Sequence, residues 1–314
     1  MRSGAISRCL LLPAVLFACS VVFAESPDID RLIRQANGGD QAAMFNLGVF
    51  YQNGRGVQQN YTEAARWYQK AADRGLSAAQ TNLGNLYLVG KGVPRDEAVA
   101  AKWYMRAAVD GFAPAQTNLG MMWAAGRGDL KQDFSEAVRW YRRASDQHYP
   151  AAQAALAFML LRGLGVQKDE AAAAHLYLAA AKEGWVSAQE TLGWLYAHGI
   201  GVREDYSESV KWTRKAVERG SARAMNNLAI AYEKGKGVPV DLSQAFEWYR
   251  RAADAGLAEA RHNLAVMYNE GRVPRDNPEA ARWLARAQAQ QQGRGSSGDT
   301  SLEPLMPSPS GDGH

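Results

Sequence analysis

The chain has only two cysteines, Cys9 and Cys19, and both fall in its first two dozen residues. If that segment is removed, no thiol, disulfide or cysteine-bound metal remains. Charge of one sign is also scarce. The formal charge is +4, and Arg2 and Arg8 alone contribute two of the excess positive charges. No basic stripe interleaved with aromatics runs along the chain, so nucleic acid is not an expected partner. His148, His175, His198 and His262 lie far apart, and no Ser/His/Asp or phosphate-loop pattern is present. An enzyme is therefore not expected, nor is a metal or cofactor.

Long apolar runs are absent with one exception, Leu10 to Phe23. That run is short of the roughly 20 residues a membrane span needs. It follows Arg2 and Arg8 and ends in Val22-Phe23-Ala24 before Glu25, the pattern of a signal peptide, residues 1–24, cleaved after Ala24. The expected location is the periplasm, with secretion as an alternative. Lipid attachment at Cys19 is a third reading, and only then would the membrane be a partner. Bulky Phe17 and the apolar residues after Cys19 argue against it.

What the chain has in quantity is repetition, and a fixed period decides the fold. Leu47, Leu83, Leu119, Leu156, Leu192, Leu228 and Leu264 recur every 36 or 37 residues, as do Gly54, Gly90, Gly126, Gly163, Gly199, Gly235 and Gly271. A third column holds Trp67, Trp103, Trp140, Trp212, Trp248 and Trp283, with Leu176 in the fourth unit. Seven units follow, about 41–75, 76–111, 112–148, 149–184, 185–220, 221–256 and 257–288.

Each unit reads as two helices. In the first, Ala79, Leu83 and Tyr87 make an apolar stripe at helical spacing. It stops at Gly90-x-Gly92, where glycine permits a left-handed exit. The second opens at an Asn or Asp column: Asn60, Asp96, Asp133, Asp169, Asp205, Asp241 and Asp276. Five of these have Glu or Gln three residues on, namely Glu63, Glu136, Glu208, Gln244 and Glu279, which predicts reciprocal capping boxes. The Trp column resembles a sugar-stacking row, but its helical spacing opposite alanines assigns it to the core. No pair buries its Trp and Leu alone, so the units must stack into an elongated all-α superhelix.

Residues Asn82-Leu83-Gly84, Tyr87, Gly90-x-Gly92-Val93, Asp96, Ala100, Trp103-Tyr104, Ala107-Ala108 and Gly111 together resemble the Sel1-like repeat, a relative of the tetratricopeptide repeat. The resemblance implies a right-handed α-solenoid that serves as an adaptor surface, with the first helices on the inner, concave side. Exported bacterial members act in envelope assembly, polysaccharide secretion, sensor regulation and host interaction. Three places depart from the pattern. Asp129-Leu130 lengthens the third turn, His148 replaces a helix-ending Gly, and Gly271-Arg272-Val273 lacks its second Gly. A kink near the middle is expected. Residues 25–40 match a second helix without a first and should cap the N-terminal end. Residues 289–314 are too poor in apolar content to fold and read as a disordered tail.

The face of the first helix opposite its packed side varies between units, which marks it as the partner-binding side. Two residues after each Leu stand Val49, Asn85, Met121, Phe158, Trp194, Ile230 and Val266. Two before stand Phe45, Thr81, Thr117, Ala154, Glu190, Asn226 and His262. One column on this face hardly varies: Asn46, Asn82, Asn118, Asn227 and Asn263. An amide both donates and accepts, so this row suits the backbone of an extended peptide, as the resemblance to tetratricopeptide domains also implies. The alternative is that it bonds the neighbouring repeat. The expected concave binding site is thus Asn46, Asn82, Asn118, Asn227, Asn263, Phe45, Met121, Phe158, Trp194 and Ile230. The expected function is a non-enzymatic scaffold of the cell envelope that binds a protein or extended peptide. A carbohydrate-binding solenoid, for exopolysaccharide or peptidoglycan, would use exposed aromatics with acids, of which Trp194 with Glu190 is the one candidate. A hydrolase would need clustered ionisable groups.

Overall fold

The computed structural model describes residues 28–272, and within them every regular element is a helix. Helix α1 (Ile29–Asn37) precedes six helix pairs. These are α2 (Gln41–Asn53) with α3 (Tyr61–Ala72), α4 (Ser77–Val89) with α5 (Glu97–Val109), and α6 (Ala113–Ala125) with α7 (Phe134–Ser145). Next come α8 (Pro150–Arg162) with α9 (Glu170–Lys182), α10 (Val186–His198) with α11 (Tyr206–Glu218), and α12 (Ala222–Lys234) with α13 (Leu242–Asp254). The seventh unit contributes α14 (Ala258–Asn269). The expected signal peptide with both cysteines, Asp276, Glu279, Trp283 and residues 289–314 lie outside the described residues.

Every helix packs on its chain neighbours, α1 on α2 included. This is the all-α solenoid that the repeat requires, since each unit touches only the units beside it. Its centre is a column of tyrosines. Tyr68, Tyr104, Tyr141, Tyr177 and Tyr249 are buried, as are the repeated leucines and the alanines one turn away, such as Ala64 and Ala71. The Gly after Leu47, Leu83 and Leu119 makes room for that ring: a Cβ at Gly48, Gly84 or Gly120 would stand 2.5–2.7 Å from Tyr68, Tyr104 or Tyr141. Where Thr213 replaces the tyrosine, Gly193 faces its hydroxyl instead.

The tryptophans lie outside the tyrosines, and Trp67, Trp103, Trp140 and Trp212 are 4–8 % exposed. Trp248 is part-buried. A cation one turn on covers each ring. Lys70, Arg106, Arg143, Lys215 and Arg251 lie 3.8–4.6 Å from the centroids of Trp67, Trp103, Trp140, Trp212 and Trp248. Burial on one side and a cation on the other leave these rings no face for a sugar.

The turns obey the glycine pattern, with Gly54, Gly90, Gly126, Gly163, Gly199 and Gly235 all left-handed. The second glycine does more than turn the chain. A Cβ on Gly92 would lie 2.2 Å from the Tyr61 carbonyl, and one on Gly201 would lie 1.9 Å from the Glu170 oxygen. The turn of one unit therefore docks on the first residues of the preceding unit's second helix. Between the two glycines, the residue matches what it lands on. Lys91 covers the Tyr61 ring and Lys236 the Tyr206 ring, Arg127 holds the Glu97 carboxylate, and Leu164 packs with Phe134 in one apolar cluster. In the lengthened third turn Asp129 takes φ 66° as the inserted residue. Leu130 then packs on the core below it. His148 adopts φ 60°, the conformation glycine has in the other units.

The capping column forms as expected on its donor side. Asn60, Asp96, Asp133, Asp169, Asp205 and Asp241 accept from amides two or three residues on. In the four boxes within the described residues the reciprocal half does not form. The cap's own N–H instead closes the turn, from Asn60 to the Tyr51 carbonyl at 2.8 Å and from Asp205 to that of Tyr196 at 2.9 Å. Asp133 and Asp241 do the same onto Trp123 and Tyr232. Freed from that role, Glu63, Glu136 and Glu208 pair with Arg66, Arg139 and Lys211.

Candidate partner-binding surface

Successive first helices touch directly, α4 with α6 and α6 with α8, and no two second helices within the described residues approach as closely. The stack is therefore tighter on the first-helix side. Tighter packing on that side is what the inner side of a curved stack requires.

The column two residues after each Leu stays open. Val49, Met121, Phe158, Trp194, Ile230 and Val266 are part-exposed and Asn85 is exposed. Phe45 is also part-exposed, its ring 5.8 Å from Tyr68. The column two before each Leu mostly does not stay open. Thr81, Thr117, Ala154 and Asn226 are buried, because adjacent first helices close over them. Thr81 and Thr117 hydroxyls donate at 2.8 Å to the carbonyls of Ser77 and Ala113 one turn back. Glu190 in this column accepts from the Ser221 hydroxyl, which caps α12. Trp194 is likewise not the fully exposed ring expected. It is part-buried against the core around Leu192 and stacks on His198 with centroids 4.6 Å apart.

The Asn row divides by position. Asn46 and Asn227 are exposed, while Asn82, Asn118 and Asn263 are part-buried. Asn118 donates to Asn85 at 3.3 Å, Asn263 donates to Asn226 at 3.0 Å, and Asn82 bonds the Tyr68 hydroxyl. Each of these bonds crosses to the preceding unit. Its target is a side chain: the core tyrosine itself for Asn82 and, for Asn118, the Asn85 that accepts from Tyr104. Burial pushes the Tyr68 hydroxyl up to about 12, partly offset by Asn82, so it remains a neutral donor. Tyr104 donates to Asn85 at 2.6 Å and Tyr249 to Glu233 at 2.6 Å. In the third unit no such acceptor is present and the Tyr141 hydroxyl has no partner.

Sequence reasoning missed the role of Gln52, Asn85 and Glu233 as acceptors for the tyrosine hydroxyls. The signal was the Tyr that follows Trp67, Trp103, Trp140 and Trp248, whose hydroxyl must reach an acceptor. It also missed a buried glutamine column. Gln80, Gln116 and Gln189 donate at 3.0–3.2 Å to the Ala72, Ala108 and Ala181 carbonyls in the last turn of the preceding second helices. The repeated Gln three residues before Leu was visible in the sequence.

Ionisable groups are dispersed. Among the described residues no cluster of His, Asp and Glu could hold a metal ion. Glu97 is held down to about 2, chiefly by its hydrogen bond from Arg127 and then by that from Arg95. This ion pair links two units. A hollow beside Tyr196 contains Asp205 and Glu208, but Asp205 caps α11, and Glu208 bonds Lys211 and the Trp212 indole. Both carboxylates thus serve the fold.

Compared with known proteins, the chain matches the Sel1 repeat at residues 41–76, 77–109, 113–149, 150–185, 186–221, 222–257 and 258–290. It is similar to the crystal structure of a protective antigen of uropathogenic Escherichia coli strains that displays an SLR fold, with a TM-score of 0.70 and 34% identity. That match covers 83% of this chain and 56% of the antigen. A Sel1 repeat protein from Oxalobacter formigenes is 31% identical with a TM-score of 0.68, over 78% of this chain and 96% of that one. Curated relatives match over short stretches. The DAP3-binding cell death enhancer 1 of Rattus norvegicus is 38% identical over 61 residues, which is 18% of this chain and 12% of that protein. The ERAD-associated E3 ubiquitin-protein ligase component HRD3A of Arabidopsis thaliana is 40% identical over 52 residues, 16% and 8% respectively.

Proposed function

The chain belongs to the Sel1 repeat family, and from that premise we propose that it is a non-catalytic adaptor of the bacterial cell envelope whose inner surface holds a protein partner. Proteins of this family generally mediate protein–protein contact and are generally non-catalytic. Two curated relatives carry names that refer to binding a protein or to being part of a ligase. The observation that carries the reading is the contrast on the first helices. Leu47, Leu83, Leu119 and their successors repeat and are buried, whereas the column from Val49 to Val266 differs in nearly every unit and stays open. Packing fixes the first set, and a partner is what the second set is free to fit.

Envelope location rests on the sequence alone, on Arg2, Arg8, Leu10–Phe23 and the small residue Ala24. Intact mass of the protein from its own cell should begin at Glu25, and a species retaining Met1 would remove the envelope from the proposal. The carbohydrate reading is weakened at its acid, since Glu190 is bonded to Ser221.

The test of the binding surface is titration of the captured partner against Asn82→Ala/Asn118→Ala and against Asn227→Ala. Lost hydrogen bonds of about 1 kcal/mol each should weaken binding roughly thirtyfold for the double variant. The exposed Asn227 separates the two roles of the row, because its replacement should weaken binding with no change in melting temperature. Unchanged binding in both variants, with stability lost in the double variant, would make the row a joint between repeats and nothing more.

A further inference from the structure

The core tyrosines of the first three units are placed alike, but their hydroxyls are not served alike. A Cβ on Gly48, Gly84 or Gly120 would meet Cδ1 and Cε1 of Tyr68, Tyr104 or Tyr141 first, so each ring lies on its glycine by the same edge. The three hydroxyls therefore reach equivalent places in their units. That of Tyr68 donates to Gln52 at 3.2 Å and is also bonded by Asn82 of the next unit. That of Tyr104 donates to Asn85 at 2.6 Å, which Asn118 of the next unit also bonds.

Around Tyr141 every one of these positions is apolar. Ala124 stands where the first unit has Gln52, Met121 where the second has Asn85, and Ala155 where the following unit would supply its Asn. Tyr141 is buried in one cluster with Ala124, Ala155, Met121 and Phe158, and its hydroxyl has no partner. Burial pushes that hydroxyl up, so it keeps its proton and remains a donor. A buried donor left unpaired costs stability that a phenylalanine ring of the same shape would not. Packing thus explains the ring and leaves the oxygen unexplained.

The hydroxyl lies close under the candidate surface. α6 and α8 touch directly, and Met121 and Phe158, which pack on the Tyr141 cluster, are part-exposed on them. Methionine is unbranched and has three rotatable bonds, so Met121 can turn aside without moving the backbone. This is also where the Asn row lapses, at Ala155. The surrounding side chains carry no charge, which disfavours a carboxylate as the acceptor, since a buried charge without a partner is costly. A peptide carbonyl is a neutral acceptor, and it can approach a recessed donor closely where its own residue has little or no side chain.

Resting on the reading of the inner face as the binding surface, we propose that the Tyr141 hydroxyl replaces the missing Asn there: with Met121 turned aside, it donates to a backbone carbonyl of an extended peptide at a Gly or Ala residue. The test uses the full chain with tyrosines isotope-labelled at Cζ, whose chemical shift reports hydrogen bonding of the hydroxyl. The probe is N-methylacetamide, a single peptide group. In the Met121→Ala chain the Tyr141 signal should shift and saturate, with roughly tenfold tighter binding than in the parent, where the closed Met121 side chain competes. The Tyr104 signal, already bonded to Asn85, should not respond. In parallel, Tyr141→Phe should raise the melting temperature by about 2–4 °C and Tyr104→Phe should lower it.

A Tyr141 signal that ignores N-methylacetamide in the Met121→Ala chain would overturn the proposal. A response to acetate and not to N-methylacetamide would assign an acidic side chain and overturn backbone recognition. A Tyr141→Phe chain that melts below the parent would show the hydroxyl already bonded in the free protein, with the same result. If Tyr141 is silent while Asn227→Ala still weakens the captured partner, only this subsite falls. If Asn227→Ala is silent as well, the inner-face reading falls with it.

Discussion

Gly199 and Gly201 stand two residues apart in one turn, with φ of 64° and 67°, yet their surroundings differ. A Cβ on Gly199 would meet nothing nearer than 3.4 Å, whereas one on Gly201 would sit 1.9 Å from the Glu170 carbonyl oxygen in the preceding unit. Gly199→Ala therefore costs only the left-handed backbone, about 1–2 kcal/mol. Gly201→Ala carries the same backbone cost plus a clash with main chain that has no rotamer to yield. Overpacking adds about 1–3 kcal/mol, for a total near 2–5 kcal/mol. Urea unfolding followed by circular dichroism measures both. Hydrogen exchange should place the extra loss at the start of α9 and in the turn of the fifth unit, since coupling in a solenoid is local. Equal destabilisation by the two substitutions would refute the reasoning. The second glycine would then serve only to turn the chain and would not dock one repeat on the last.

Trp103→Ala should cost about 3–5 kcal/mol as a large-to-small core change, with exchange protection lost mainly in the second and third units; an unchanged unfolding midpoint would show the ring to be free for a ligand. His148→Gly should stabilise by about 1 kcal/mol, because an exposed histidine at φ 60° gives way to the residue that adopts this conformation freely; a lower midpoint would show that the side chain contributes something the fold needs. Glu97 has its folded pKa lowered from 4.5 to about 2, so the stability it brings is present above pH 4.5 and lost as pH falls toward 2. The gap between parent and Glu97→Gln should hold steady from neutral pH to about 4.5 and then close; a gap that widens on acidification would contradict the Arg127 pairing.

The sequence revealed most of what repeats and less of how the repeats meet. Leu83, Gly90, Asp96 and Trp103 act within their own helix or turn, where helical period and glycine geometry suffice to read them. The docking of Gly201 on Glu170, the donation from Gln80 to Ala72 and the Tyr104 hydroxyl on Asn85 join residues in different helices. No local period reports such contacts. The capping boxes failed for the same reason: Glu63 was in position, but a tertiary bond to Tyr51 had already engaged the Asn60 amide. On the candidate surface the column at Met121 was legible because a face opposite the core needs only helix geometry. Burial of Thr81 and Asn226 was not, because it depends on how closely adjacent first helices approach.

The central claim is that the inner face receives a protein partner. The most direct measurement places benzoylphenylalanine in turn at Met121 and Ile230 on that face and at Arg106 and Arg143 over the outer tryptophans, then compares crosslinking yields in the producing cell. The account predicts partner adducts from Met121 and Ile230 and none from Arg106 or Arg143. Adducts confined to the two outer positions would contradict it.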